Sequence, residues 1–295
     1  MLKKLSVIIP IRNMANELSR LCDEILFLAS KGAQIIVIDD GSDDETFLLL
    51  QKFTFEYGLH KSLKLISQNH SGPGVARNVA CLNAIKDIIV FWDSDDTRDL
   101  EILEEINLDF SEDMLVAQFA LKHGNKSARM IKNLQTKNLL DLSVNGGVWR
   151  IFFQRNFLSS IKFPDLFCGE DLVFLADVLD RNPKIIWSKS TIYEYNNRRN
   201  GQISTNIVYR TDSVQACLIL INKLKNSKTK NKKYIGILLL KLLNTAMKSD
   251  WKKLLISSTR SLFEVGIISC LRVMCILIRS LLAFVLQKTI IRGDN

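Results

Sequence analysis

This sequence has no CxxC pair, no histidine cluster and no phosphate-binding glycine signature. Each absence removes a class of protein. The six cysteines (Cys22, Cys81, Cys168, Cys217, Cys270 and Cys275) follow no regular framework, which fits free thiols in a reducing compartment. His60, His70 and His123 match no metal-ligand spacing and read as structural or surface residues. No Ser-His-Asp or Cys-His arrangement is visible. Without GxxxxGK[ST] or GxGxxG, a P-loop enzyme and a Rossmann dinucleotide enzyme are both excluded. The opening "MLKKLSVIIPIRN" is not a signal peptide, because Pro10 and Arg12 interrupt a short apolar run and no small-residue cleavage site follows. The expected location is cytoplasmic.

What is present is a chain of 295 residues with 47% hydrophobic and 24% charged residues, enough apolar material for a sizeable core. The net charge of +9 is unevenly spread. Acidic residues are plentiful as far as Glu112, and Lys and Arg dominate from Lys122 onward. The densest run is "NKLKNSKTKNKKY", Asn222 to Tyr234. Such a run is either a solvated face or a docking surface for an anionic partner. No nucleic-acid module accompanies it, so nucleic acid is not the expected partner.

Four apolar runs mark the first hundred residues: "LSVIIPI", "AQIIVIDD", "KLISQN" and "DIIVFWD". Two of them are near-continuous Ile/Val, the pattern of strands buried on both faces. Helical patterns lie between them, over Ala15–Ser30, Asp43–Tyr57 and Gly74–Lys86, with Ser42 and Asp43 as plausible caps. Alternating strands and helices predict an α/β fold with a mostly parallel central sheet flanked by helices. Ligands of such sheets bind beyond the carboxyl ends of the strands. That edge would carry "DDGSDD" (Asp39 to Asp44) and "DSDD" (Asp93 to Asp96). Crowded carboxylates repel one another unless something compensates. Asp93, Asp95 and Asp96 therefore either offer hard oxygen ligands to Mg²⁺ or Mn²⁺, or form an acidic turn and helix cap.

The ordered set "SVIIPIRN", "IIVIDDGSDDET", "SGPGVARNVA" and "IIVFWDSDDT" resembles the family 2 glycosyltransferases, which have the GT-A fold. "NGGVWRIFFQRNFL", "GEDLVF" and "YEYNNRRNGQIS" resemble that family's acceptor-side segments, so the likeness covers about residues 3 to 205. It implies a catalytic domain over 1–208, followed by a basic and apolar helical region over 209–295.

The resemblance also implies roles. Asp40, with Asp39 beside it, would read a uracil N–H, and Pro10 and Arg12 would wall the base and ribose. Arg12 stands where the family often has an aromatic residue. Arg77, at a glycine-marked helix start, would fork onto a diphosphate. Asp93, Asp95 and Asp96 would be the DxD-type motif holding the metal. Asp171, supported by Glu170, would be the base of an inverting transferase; the alternative is two carboxylates favoured by a helix dipole. Trp149 and Arg150 would line the acceptor pocket, and Arg198 and Arg199 would close over the diphosphate. The Gln-x-x-Arg-Trp signature of processive synthases is absent, so one sugar per encounter is expected.

The expected partners are a nucleotide-sugar donor, most simply a UDP-sugar, and a saccharide or lipid-linked saccharide acceptor of bacterial surface polysaccharide assembly. Past Val208 the family motifs stop. The stretch from Val265 to Arg292 is long enough to span a bilayer, but Arg272 and Arg279 sit inside it. It reads as an interfacial amphipathic helix at an anionic membrane surface, the inner face of the cell membrane, or as a subdomain packed on the protein. Two rival functions remain: a sugar nucleotidyltransferase, whose Gly-rich, Lys-bearing N-terminal signature is missing, and a catalytically silent scaffold.

Overall fold

The computed structural model describes residues 2–123, 126–130, 139–144, 146–196, 210–227 and 229–242. The chain begins with β1 (Leu5–Ile11), α1 (Leu18–Ser30), β2 (Gln34–Asp40), α2 (Thr46–Glu56), β3 (Leu63–Gln68), α3 (Pro73–Cys81) and β4 (Ile88–Phe91). It continues with β5 (Thr97–Arg98), α4 (Leu100–Glu105), β6 (Met114–His123), β7 (Lys126–Met130), α5 (Leu139–Val144), β8 (Ile151–Gln154) and α6 (Arg155–Leu158). Then come α7 (Glu170–Asp180), β9 (Ile185–Asn196) and α8 (Arg210–Asn226). Residues 232–242 form a further helical segment.

The Ile/Val runs do what their lack of alternation implies. Successive side chains of a strand face opposite sides, and here both sides are covered. Ile8, Ile36, Ile38, Ile89 and Phe91 join one apolar cluster with α3 and α7. Val7, Ile9, Ile35, Val37 and Val90 join the other with α1. One sheet therefore separates two cores.

Among the described residues the strand order is β3-β2-β1-β4-β8-β6-β9-β5, with β7 paired to β6. From β3 to β4 all pairings are parallel. Beyond β4 the sheet is mixed: β8 lies antiparallel between β4 and β6, β9 runs parallel to β6, and β5 runs antiparallel to β9. The expected mostly parallel sheet thus holds for the first half only. Parallel pairing needs a crossover of a dozen or more residues, which the helices between β1 and β4 supply. After β4 the helical pieces are as short as six and four residues.

Element boundaries shift slightly. The third helix ends at Cys81 rather than Lys86. The start of α2 is held by Asp44, not by Ser42 or Asp43: its Oδ1 accepts from the Thr46 N–H at 3.0 Å. Ser42 instead donates to Asp39.

Residues 210–242 are not an appendage. Ala216, Leu220, Leu224, Leu238 and Leu239 share one buried cluster with Val173, Phe174 and Leu175 of α7. The boundary expected at residue 208 and the apolar stretch from Val265 to Arg292 lie outside the described residues. Among the described residues no helix is long and apolar enough to cross a membrane.

Candidate active site

The carboxyl ends of β2 and β4, the N-terminus of α3 and the N-terminus of α7 meet at one edge of the sheet. Asp39 and Asp40 end β2 and are both buried. Asp40 is the hub of the loop between β3 and α3. It accepts from Gln68 Nε2 at 2.7 Å, His70 Nδ1 at 2.8 Å, the Ser71 N–H at 2.8 Å and the Gly72 N–H at 2.9 Å. A carboxylate has about four lone-pair sites, so this loop occupies all of Asp40. Asp39 takes Ser42 Oγ and, more loosely, the Ser42 N–H at 3.4 Å and Ser67 Oγ at 3.5 Å. The turn that follows them depends on Gly41 at φ +69°, where a Cβ would lie 2.7 Å from the His70 backbone nitrogen. Pro10, on β1, pairs with Ile38. Arg12 is exposed and reaches back to Gly41 O at 3.2 Å and Asp43 Oδ2 at 3.0 Å.

Arg77 lies in the second turn of α3 and points under the site, not out of it. It is 4% exposed. One amino group donates to Glu170 Oε1 at 2.8 Å and the other to Asp93 Oδ1 at 2.7 Å. Its fork is therefore spent on two protein carboxylates. Those carboxylates raise its pKa further, against the opposing effect of burial.

The "DSDD" turn follows β4. Its backbone is held from beneath by two arginines. Arg20 Nη2 donates to Ser94 O at 2.8 Å and Nη1 to Asp96 O, while Arg98 donates to Asp93 O. Glu24 pairs with both, at 3.1 Å to Arg20 and 2.6 Å to Arg98. Arg98 also lies over the rings of Trp92 and Tyr193. Binding the carbonyls this way fixes the turn through its backbone. Asp96 behaves differently. It is buried and accepts from the Tyr193 hydroxyl at 2.7 Å. Burial, then Asp93, push the Tyr193 phenol well above its ordinary range. Among the described residues no group of three His, Cys, Asp or Glu side chains converges as a metal site would require. The donor set still suits a hard cation: Arg77 engages Oδ1 of Asp93, whose side chain is 31% exposed, and Asp95 is half-buried on the same turn.

Glu170 and Asp171 open α7 behind Gly169, which has φ +84°. Burial raises Glu170 to about 7, with Asp171 adding to the effect and Arg77 opposing it. Burial also raises Asp171, while the Lys241 ammonium and Arg77 pull it down. Lys241 comes from residues 232–242 and donates to Gly146 O at 3.1 Å.

Trp149 and Arg150 lie behind the site. Trp149 is 8% exposed and stacks on Tyr193 with ring centroids 4.1 Å apart. Arg150 is 1% exposed and sits over Phe119 at 4.9 Å. Both are buried. Arg198 and Arg199 lie outside the described residues.

Sequence reasoning missed Arg20, Glu24, Arg98, Tyr193 and Lys241. The faint signals were an i,i+4 acid–base pair on α1, and one cation inside "IGILLLKLLN".

The mixed sheet, with carboxylates gathered at the ends of β2 and β4 and at the start of α7, has the arrangement expected of the GT-A fold. The family described as Glycosyl transferase family 2 matches residues 6–169, more than half of the chain, and the chain belongs to that family. It is 26% identical over 229 residues to the cholesterol galactosyltransferase of Borreliella burgdorferi, covering 69% of this chain and 63% of that one. It is 36% identical over 115 residues to an uncharacterised glycosyltransferase of Rickettsia conorii, covering 37% of this chain and only 18% of that protein. The chain therefore spans less than two thirds of either relative. Among solved structures, Staphylococcus aureus TarS 1-349 in complex with UDP-GlcNAc superposes with a TM-score of 0.60 at 23% identity, over 83% of this chain and 73% of that one. At that identity the likeness is one of fold.

Proposed function

We propose that the protein is an inverting, metal-dependent glycosyltransferase that moves one sugar per encounter from a UDP-sugar to a saccharide acceptor. The observation that carries this reading is a buried arginine, Arg77, that joins Asp93 to Glu170. It ties the turn suited to a metal–diphosphate to the helix start suited to a base.

In this reading Asp171 takes the proton of the acceptor hydroxyl as its oxygen attacks the anomeric carbon. The sugar–phosphate bond breaks and the nucleoside diphosphate leaves. Asp93 and Asp95 would hold the Mn²⁺ or Mg²⁺. Asp96, locked to Tyr193, would set the shape of the turn. A bound divalent ion supplies charge stabilisation for the departing diphosphate. Pro10, Arg12 and Asp39 wall the base and ribose, and Asp40 acts through the 68–72 loop that it fixes. Glu170 supports Asp171. Trp149 and Arg150 shape the acceptor side from behind, and Arg198 and Arg199 close over the diphosphate. A lipid-linked acceptor at the cytoplasmic face of an anionic membrane fits the basic run and the apolar stretch beyond it.

The test is a donor panel with Mn²⁺, repeated in EDTA and with Asp171→Asn. Expected are metal-dependent turnover of a UDP-sugar and a loss of about 10²–10⁴-fold in Asp171→Asn with UDP binding retained. Parental rates in EDTA, or in that variant, overturn the metal or the base respectively. Failure of every donor to turn over or hydrolyse favours the silent scaffold. Release of pyrophosphate from a nucleoside triphosphate and a sugar phosphate favours the nucleotidyltransferase.

A further inference from the structure

Two helices from the C-terminal region converge on the five residues that deliver the base. Asp212 of α8 accepts from the Phe167 N–H at 2.7 Å. Ser213 donates to Cys168 Sγ at 3.3 Å. Ala216 and Leu242 flank Gly169 so closely that a Cβ there would lie 3.0 Å from one and 2.9 Å from the other. The positive φ of Gly169 and this close approach together leave room for glycine alone. On the other side of α7, a Cβ on Gly146 would lie 3.0 Å from Leu172 and 3.4 Å from Leu175. Lys241, adjacent to Leu242, donates to the carbonyl of that same Gly146 at 3.1 Å. The ammonium is thus held at the 146–147 turn, which itself packs on the start of α7.

We propose that Lys241 is a positioning residue for sugar transfer, holding the Asp171 carboxylate in place from the C-terminal helical segment. The inference rests on Asp171 being the base. Its physical content is electrostatic. A part-buried carboxylate loses hydration and needs a fixed counter-charge. Arg77 is already committed to Asp93 and Glu170. Arg150, the other cation near Lys241, opposes its charge. Lys241 is brought to the start of α7 by its bond to Gly146 and by Leu242 against Gly169, and its charge, like that of Arg77, favours the ionised Asp171 against burial. The segment that family resemblance leaves unexplained therefore supplies part of the site, with α8 bracing the loop and Lys241 reaching the acid.

The experiment uses the full chain with the donor that turns over. Lys241→Met keeps the stem and removes the charge, and Lys241→Arg restores it. Asp171→Asn and the double variant Lys241→Met/Asp171→Asn complete the set. Lys241→Met is expected to lower kcat ~10- to 100-fold, the range seen when an outer partner that orients a functional ligand is removed. KM for the donor and UDP affinity should stay within about twofold, since neither contact touches the nucleotide. Lys241→Arg should recover most of the rate. The double variant should be no slower than Asp171→Asn alone, because a residue acting through Asp171 has nothing further to lose. Four results overturn the proposal: an unchanged kcat in Lys241→Met, equal losses in Met and Arg variants, additive losses in the double variant, or a parallel loss of UDP binding. If Lys241→Met does not fold, Lys241→Arg against Lys241→Gln decides by the same criterion. Full transfer by Asp171→Asn removes the base assignment instead; loss in Asp171→Asn with full transfer by Lys241→Met removes only the present inference.

Discussion

The two carboxylate sites of this protein solve the same problem in opposite ways. At the end of β4, the positive charges of Arg20 and Arg98 are spent on backbone carbonyls. The turn is rigid, and Asp93 stays partly open to solvent. At the start of α7, Glu170 is buried and Asp171 half-buried, and side-chain cations from α3 and from residues 232–242 act on the carboxylates themselves. Burial there raises Glu170 and Asp171 together. An open, pre-shaped carboxylate turn suits a hydrated divalent ion. An enclosed carboxylate suits proton transfer, for which the best pKa lies near the working pH. Arg77 bridges the two sites.

Removing the brace breaks the comparison most severely. Truncation after about residue 209 deletes Ala216, Leu220, Leu224, Leu238 and Leu239 from the cluster they share with α7. An amphipathic tail merely docked at a membrane would leave the catalytic part folded. A segment that completes a core would not, because the apolar face of α7 would be exposed. The truncated chain is therefore expected to aggregate and to lose nucleotide binding, while the full chain is soluble under the same conditions. A soluble, UDP-binding fragment would show that the α7 site stands without its brace.

Arg77→Met comes next. It leaves Glu170 buried without its cation and Asp93 without its partner, and breaking a buried pair in this way costs ~3–5 kcal/mol. Urea unfolding should report a loss of that order, and both halves of the site should suffer. A loss under about 1 kcal/mol would mean that the carboxylates find other partners and that the two sites are independent.

Tyr193→Phe acts on the β4 side alone. It removes the donor to the buried Asp96 and leaves the stack on Trp149 in place. The expected cost is roughly 1–3 kcal/mol, the range for removing a hydrogen bond to a buried charged group. Transfer should weaken through poorer metal dependence, read as a higher Mn²⁺ requirement, while Asp171-dependent chemistry at saturating metal changes little. An unchanged metal requirement would remove Asp96 from the turn's design.

The contrast also explains what the sequence revealed. Strands β1, β2 and β4 were legible because Ile/Val runs buried on both faces leave no other reading. The positions of Asp39, Asp40, Asp93, Glu170 and Asp171 followed from where strands and helices end. Orientation did not follow. A glycine-marked helix start bearing Arg77 reads as a phosphate cradle, yet Arg77 in the second turn points inward to Glu170. Trp149 and Arg150 lie in a motif associated with the acceptor, but they pack on Tyr193 and Phe119. Lys241 was hidden because a lone cation in an apolar helix looks the same whether it faces lipid, water or a buried carboxylate. Only the tertiary packing of residues 232–242 separates these cases. The antiparallel half was illegible for a related reason: β8 pairs with β4 across some sixty residues of chain, and no local pattern encodes that choice.

The smallest expected effect is the most specific to the α7 side. Glu170 stands at about 7 in the folded protein against an ordinary 4.5. Below about pH 4.5 the carboxyl is protonated in folded and unfolded chains alike, and its ionisation costs nothing. Between about 4.5 and 7 the folded protein holds a proton that the unfolded chain has lost, so its contribution to stability falls as pH rises. Above about 7 both forms are ionised and the contribution is level. Glu170→Gln cannot ionise and removes this slope, while Asp171, raised in the same direction, keeps a share of it. Urea unfolding of parent and variant at pH 5, 6, 7 and 8 (each about one unit apart, enough to bracket the window) should show the parent losing stability with pH more steeply than Glu170→Gln. Arg77 offers a charged partner to the ionised carboxylate, and this slope requires burial and the Asp171 charge to outweigh it. Parallel profiles would mean that Arg77 wins instead. Glu170 would then act as a structural partner of Arg77, and the difference between the two carboxylate sites would rest on Asp171 alone.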